Sequence, residues 1–398
     1  MSPPVRLGII GFGLATGPVV GPLTTGGRFD IVGCADPDPL SRDRFTGRFS
    51  KPAFEAAPDL LENVQLDAVY IATPTRLHEE LACLSFDHGI HVLVEKPIAP
   101  SLAAAEGMIA AASRAGLTLM VNHKRSADRD ILGMWQLSKN DTLGKVRAVH
   151  RWQFSDWFYR ARAEDERDPE AGGVVLRQGA HEFDVLRLLL PSTPVRLRGI
   201  TGDYDGARPG EGAYYAWIEC QDGTLATSIH NGYDHFRSDE FTTGLVDPAV
   251  FGASRRLLAA EAPDAEAEHN LKREVGHPRP PALNSGIFGF TLMNCDSGDL
   301  RPAPGGGVWV YDETGRHGLI ADGPTGTEVL VDELYRAVVD GQSPLHDGSW
   351  GLACLELCLA IRESQQTGAA VELTHQGKLD PQTVQETFGE RRMETYAQ

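Results

Sequence analysis

The run Val5-Arg-Leu-Gly-Ile-Ile10 passes directly into Gly11-Phe12-Gly13-Leu14-Ala-Thr16-Gly17, and no other stretch narrows the choice of folds as far. A short apolar segment rich in branched residues reads as a buried strand. When such a strand meets two glycines one residue apart and then a helix, the turn suits a dinucleotide. Gly11 makes the tight turn, Gly13 lets backbone approach a pyrophosphate, and the helix offers its first N–H groups to the phosphates. Thr16 stands where a third glycine often stands, so the match is partial. The next strand, Phe29 to Ala35, ends in Asp36, twenty residues past Thr16. A carboxylate there accepts hydrogen bonds from the adenosine ribose and repels a 2′-phosphate, which favours NAD over NADP. The other reading of Asp36 is a turn former in Asp36-Pro-Asp-Pro39.

Further strands follow at βαβ spacing: Leu66 to Ala72, Val92 to Val94 and Thr118 to Asn122, separated by helix-like segments over 76–88 and 101–115. This grammar implies a parallel, doubly wound sheet over residues 1–125. Its crevice is expected to be lined by Gly11, Phe12, Gly13, Leu14, Asp36, Thr73, Pro74, His78, Glu95, Lys96 and Asn122. Lys96 closes the strand at its carboxyl end, where open α/β sheets bind ligands. There it can hydrogen-bond a substrate hydroxyl or move a proton; alternatively it is a solvated strand-end lysine paired with Glu95.

After residue 125 the pattern changes to strands in series: 145–154, 194–201, 213–220, 224–230, 288–295 and 308–311, with Gln221-Asp-Gly223 as a hairpin turn. An α+β second domain over 126–398, built on a mainly antiparallel sheet, is therefore expected. One broad sheet with an apolar face favours a homodimer or homotetramer. Residues 251–285 read as an insertion, a loop or short helix, that includes Gly276-His-Pro-Arg-Pro-Pro281. Helical segments over 327–340 and 350–367 close the chain.

The chemical signal of this second part is Gly172-Gly173 leading to Arg177-Gln-Gly-Ala-His181-Glu-Phe-Asp184. His181 falls in the first turn of a helix, where the dipole favours the neutral imidazole that a general base needs. The plainer alternative is a half-buried structural histidine. Asp184, one turn on, is either a first-turn acid or a pocket residue. Thirteen histidines form no H-E-x-x-H pattern and six scattered cysteines no C-x-x-C, so no metal site is expected. With 37 basic against 55 acidic residues the net charge is -18, which argues against nucleic acid or anionic membrane as partners. No apolar run approaches the roughly 18 residues of a membrane span, and reduced thiols suit the cytoplasm.

A glycine-rich nucleotide turn, Glu95-Lys96-Pro97 after the fifth strand, and a Gly-Gly segment leading to His-x-x-Asp together resemble the Gfo/Idh/MocA oxidoreductase family over nearly the whole chain. The resemblance implies a Rossmann domain, a C-terminal domain with a large open sheet, and NAD(P)-dependent oxidation of a secondary alcohol. Lys96 and His181 fall on the family's catalytic lysine and histidine. The family usually carries an Asp four residues before that histidine, where this chain has Arg177. The segments 177–187, 231–241, 278–281 and 344–348 look like the branch described as phthalate 4,5-cis-dihydrodiol dehydrogenases. A carboxylated cyclic diol would then be the substrate, its carboxylates met by Arg177 and by the loop Trp157-Phe-Tyr159-Arg160-Ala-Arg162. Arg160 and Arg162 could equally be surface charge balanced by Glu164, Asp165 and Glu166. A sugar or inositol dehydrogenase is the second reading, and a non-catalytic NAD-binding regulator the third.

Overall fold

The computed structural model describes residues 3–139, 143–163, 166–168, 170–243, 253–275 and 289–396. The chain divides into two compact units, one of residues 1–124, 327–355 and 379–387, the other of 125–326, 356–378 and 388–398. The expected division assigned everything after residue 125 to the second domain; three-part units arise instead because the chain returns. Leu330, Val331 and Leu334, on the helix Thr327–Val339, are buried in the same core as Val5, Leu7, Ile9 and Phe29.

In the first unit β1 (Val5–Ile10), β2 (Phe29–Ala35), β3 (Ala53–Phe54), β4 (Ala68–Ile71), β5 (His91–Val94) and β6 (Leu119–Val121) form a parallel sheet in the order β3-β2-β1-β4-β5-β6. All four residues of β4 are buried, as an unalternating apolar run requires of a sheet covered on both faces. The chain winds outward from β1 to β3 and then resumes at β4 on the other side of β1. The carboxyl ends of β1 and β4 therefore flank the point where strand order reverses, the place where such sheets bind ligands. The helix Leu102–Ala115 shows how local chemistry sets its bounds. Ser101 caps its start by accepting from the Ala104 amide, and Gly116 ends it at φ 66°. The segment 344–348, singled out by its resemblance, lies along the free edge of β6. The Val121 amide donates to the His346 carbonyl, and Met120 bridges Asp347. Glu333 holds it there, accepting from the Leu345 and His346 amides and pairing with His346 Nδ1 at 2.6 Å.

The second unit is a ten-stranded sheet, in which β7 (Val146–Phe154), β8 (Pro194–Gly202), β9 (Ala213–Cys220), β10 (Leu225–Asn231), β11 (Phe290–Cys295), β12 (Asp299–Pro302), β13 (Val308–Asp312), β14 (Gly315–Ala321), β15 (Val371–Glu372) and β16 (Met393–Thr395) run in the order β15-β8-β9-β10-β7-β11-β12-β13-β14-β16. Every neighbouring pair is antiparallel except β7 with β10. Sequence periodicity did not anticipate β12, β14, β15 or β16, which are short or rich in Gly, Arg and Pro. One face of the sheet is covered by the wholly buried helix Ala180–Leu189. On the other face, cross-strand register aligns Ile200, Tyr215, Ile229, Trp152 and Phe290 in a row over five strands. The expected insertion is helical over Ala253–Glu261 and Ala265–Val275; its Gly276–Pro281 stretch and the strand start at Phe288 lie outside the described residues.

Candidate functional site

Gly11 sits at φ 87°, and a Cβ there would come within 2.8 Å of the Ala72 carbonyl oxygen, so only glycine lets β1 turn this close to the end of β4. Nothing lies within 4 Å of where a Gly13 Cβ would stand, which leaves its backbone open to a ligand. Leu14 begins a 3-10 turn, Leu14–Thr16, before the helix Gly17–Thr24. Thr16 returns its hydroxyl to the Gly13 carbonyl at 2.6 Å. That bond closes the turn from a buried position and explains how a threonine serves where a third glycine is common. Phe12 is buried edge-on against Phe45 and Phe49.

Asp36 is buried, and each carboxylate oxygen takes one backbone amide: Oδ2 from Phe12 at 2.7 Å and Oδ1 from Asp38 at 2.8 Å. Each oxygen keeps further acceptor capacity for ribose hydroxyls. The turn-former reading also holds, since the Asp38 bond is a local Asx contact. His78 is fully buried, its ring contacting the carbonyls of Pro97 and Ile98 through Nδ1 and of Thr73 through Nε2. It braces the two loops rather than lining the crevice, and burial lowers its pKa, keeping it neutral. Thr73 and Pro74 follow β4 after Ala72, and the Thr73 hydroxyl is buried without a hydrogen-bond partner among the described residues. Glu95 accepts from the Tyr70 hydroxyl and the Asn122 amide. Burial, with Glu95 beside it, pushes the Tyr70 hydroxyl well above its ordinary range, so it stays a donor. The Asn122 carbonyl oxygen is likewise buried and unpartnered among the described residues. Lys96 follows Glu95 and precedes a cis Lys96–Pro97 bond. Two orphaned polar atoms, an open glycine backbone and a ribose-spaced carboxylate on one sheet edge fit a bound NAD.

In the second unit His181 is buried near the start of the helix Ala180–Leu189. The expected dipole effect does not hold: a π-turn, Val175–Gly179, runs straight into that helix, so His181 is not at a free N-terminus. Single π-turns inside helices are frequent at functional positions. Arg177 is part of this turn and half-buried. Its charge reaches Glu166, whose carboxyl is held below its ordinary value, against the effect of burial, mainly by Lys272. Upstream, Gly173 lies at φ 78° where a Cβ would strike Glu211 at 2.6 Å, and Glu211 fixes the segment by accepting from the Val175 amide and Arg362. Asp184 is fully buried and accepts the Arg125 and Ser126 amides at 2.8 and 2.9 Å, which corrects its expected pocket role: it ties the chain after β6 to this helix.

The loop after β7 separates its expected substrate residues. Arg162 is buried over the Phe158 ring and shares Glu268 with Arg167 and Arg208, so its charge is engaged by the inserted helix Ala265–Val275. Tyr159 donates to Asp205 and lies under the Arg255 guanidinium. Arg160 has neither kind of partner among the described residues. Burial lowers its pKa, aided by the charge of Arg237 and opposed by those of Asp156, Glu166 and Asp239. Sequence reasoning passed over His230 on β10, which is 1% exposed with both ring nitrogens unpartnered among the described residues. Its only sequence signal is alternation, which puts it on the buried face with Ala226 and Ser228. No group of metal-ligating side chains occurs among the described residues, nor a helix long and apolar enough to cross a membrane.

Comparison with known proteins matches residues 5–123 to an oxidoreductase family with an NAD-binding Rossmann fold and residues 131–242 to the GFO/IDH/MocA C-terminal domain. The 1-carboxy-3-chloro-3,4-dihydroxycyclohexa-1,5-diene dehydrogenase of Comamonas testosteroni is 32% identical over 376 residues, 90% of this chain and 94% of its own. The 1,5-anhydro-D-fructose reductase of Ensifer adhaerens is 29% identical over 63% of this chain and 76% of its own. A crystal structure from Bordetella bronchiseptica RB50 superposes with a TM-score of 0.84 at 32% identity, covering 93% of this chain and 100% of that one. The WlbA dehydrogenase of Bordetella pertussis, solved with NADH and UDP-GlcNAcA, shares the fold at a TM-score of 0.71 and 18% identity, over 93% of this chain and 99% of its own.

Proposed function

Because the chain belongs to the GFO/IDH/MocA oxidoreductase family, we propose that it oxidises a ring alcohol of a carboxylated cyclic diol, with NAD as hydride acceptor. Membership makes it an NAD-dependent dehydrogenase; the substrate is our own reading. The observation that carries it is the near full-length likeness to a dehydrogenase of a carboxylated cyclohexadiene diol.

In this reading Lys96 would hydrogen-bond the reacting hydroxyl and His181 would take its proton, while a bound NAD would supply the acceptor for the hydride of the ring C–H. The hydroxyketone so formed tautomerises to a catechol, and aromatisation drives the step. NAD supplies the two-electron acceptor. Gly11 and Gly13 would hold its pyrophosphate, Asp36 its adenosine ribose, and Glu95 and Asn122, steadied by Tyr70, the nicotinamide end. Arg177, which stands where the resemblance implies an Asp, supports a substrate that brings its own negative charge. The open face of the ten-stranded sheet would pair with a second copy of the chain, giving a homodimer or homotetramer.

The test is a panel of arene cis-dihydrodiols with and without a ring carboxylate, set against inositols and hexoses, with NADH formation as readout. Selective oxidation of the carboxylated dihydrodiol supports the proposal. Turnover of hexoses or inositols alone would replace it with the sugar reading.

A further inference from the structure

His230 is 1% exposed on β10, and neither ring nitrogen has a hydrogen-bond partner among the described residues. Its ring lies edge-on to Trp157 at 6.1 Å and roughly parallel to Tyr214 at 6.2 Å. The Tyr214 hydroxyl is committed to Ser228. Burial, with the charges of Arg160 and Arg151 added, holds the imidazole down to about 3, so it is neutral at working pH and carries one N–H donor. A buried donor left unmade is destabilising, so an acceptor beyond the described residues is expected.

Arg160 stands one turn after Trp157, its amide donating to the Trp157 carbonyl at 3.2 Å. The neighbouring cations are engaged. Arg151 pairs with Glu182 and Thr291, Arg237 pairs with Asp239 and faces Asp156 at 3.8 Å, and Arg162 shares Glu268. Arg160 alone of these makes no ion pair or side-chain hydrogen bond among the described residues, although the charges of Asp156, Glu166 and Asp239 act on it and its own acts on the His230 ring.

We propose that Arg160 and His230 together receive the ring carboxylate of the substrate. The guanidinium pairs with the anion, the imidazole donates its N–H to one carboxylate oxygen, and Trp157 walls the ring. This rests on the function proposed above and names the residues that select the carboxylated member of that substrate class. A planar carboxylate matches the fork of a guanidinium, whereas a neutral diol or sugar would leave the arginine unpaired.

The test uses the intact protein with saturating NAD. Benzoate and benzamide are titrated calorimetrically onto the wild type and onto Arg160→Gln, Arg160→Lys and His230→Phe, and both dihydrodiols are assayed in parallel. Benzoate affinity is expected to fall roughly tenfold or more in Arg160→Gln and His230→Phe and by less in Arg160→Lys, with benzamide nearly unchanged. Thermal melts check folding, and if His230→Phe does not fold the two Arg160 variants decide. Loss of benzoate binding in these variants, with neither dihydrodiol oxidised by the wild type, would keep the carboxylate site and discard the function. Three outcomes overturn the site: wild type that does not bind benzoate, variants that bind it as wild type does, or equal loss of benzoate and benzamide.

Discussion

Asp36 holds the Phe12 and Asp38 amides and still has lone pairs for a ribose, so under the proposed assignment its charge would meet a 2′-phosphate. NAD should therefore bind more tightly than NADP. Asp36→Ala should weaken NAD by roughly tenfold or more, the scale of a lost charge-assisted hydrogen bond, while affecting NADP far less. Calorimetric titration of both nucleotides decides it; tighter NADP binding by the wild type would refute the assignment. Lys96→Met or His181→Ala should each lower kcat by about 10²-fold or more with NAD affinity little changed. If they serve one proton-transfer step, the double variant should be hardly worse than either single one, and steady-state kinetics with near-normal turnover in either would remove the role. The sequence could single out these candidates because each sits at a marked place, beside a glycine turn or at a strand end before proline. Tyr70 and His230 were not, since a polar side chain inside an apolar strand gives no sign of what lies across from it until register is known.

Elements with a strong period were legible and those defined by tertiary pairing were not. β1, β2 and β9 match their expected runs closely, whereas β12 and β14 exist through cross-strand pairing more than through their own composition. The π-turn before His181 also has no sequence period to announce it, and it removed the helix terminus on which a neutral imidazole was first argued. The helix Arg129–Ser138 carries a second consequence of burial. Asp130, in its first turn, has its carboxyl pushed up to about 6 by desolvation and then by Asp128. A folded-state value above the unfolded one near 3.9 means the folded form binds the proton more tightly. Stability from this group is thus full below about pH 4 and is lost as pH rises through 6, a penalty of about 3 kcal/mol at neutral pH. Asp130→Asn, which keeps the acceptor for the Ile131 amide, should raise the melting temperature at pH 7.5 and leave it nearly unchanged at pH 4. Equal shifts at both pH values would point to packing instead.

At the scale of the whole molecule, the row Ile200, Tyr215, Ile229, Trp152 and Phe290 crosses five strands, and Ile200 and Trp217 are 46% and 44% exposed. If that face pairs two copies as proposed, charges placed there should block it: Ile200→Glu with Trp217→Glu should give a smaller species in light scattering, with NAD affinity retained. An unchanged mass would move the interface elsewhere. The α/β class, the nucleotide turn and the large sheet followed from the sequence, but the route of the chain did not. Nothing in the composition of 327–339 says which sheet its apolar stripe will cover. That route bears on how such a protein can be inherited and handled. Because Leu330 and Leu334 complete the core around Val5 and Leu7, a gene cut after codon 124 would yield a nucleotide fold with an open wound on its apolar core. Expressed alone, that fragment should aggregate, and recombination between relatives should succeed only when the first and last thirds of the reading frame travel together.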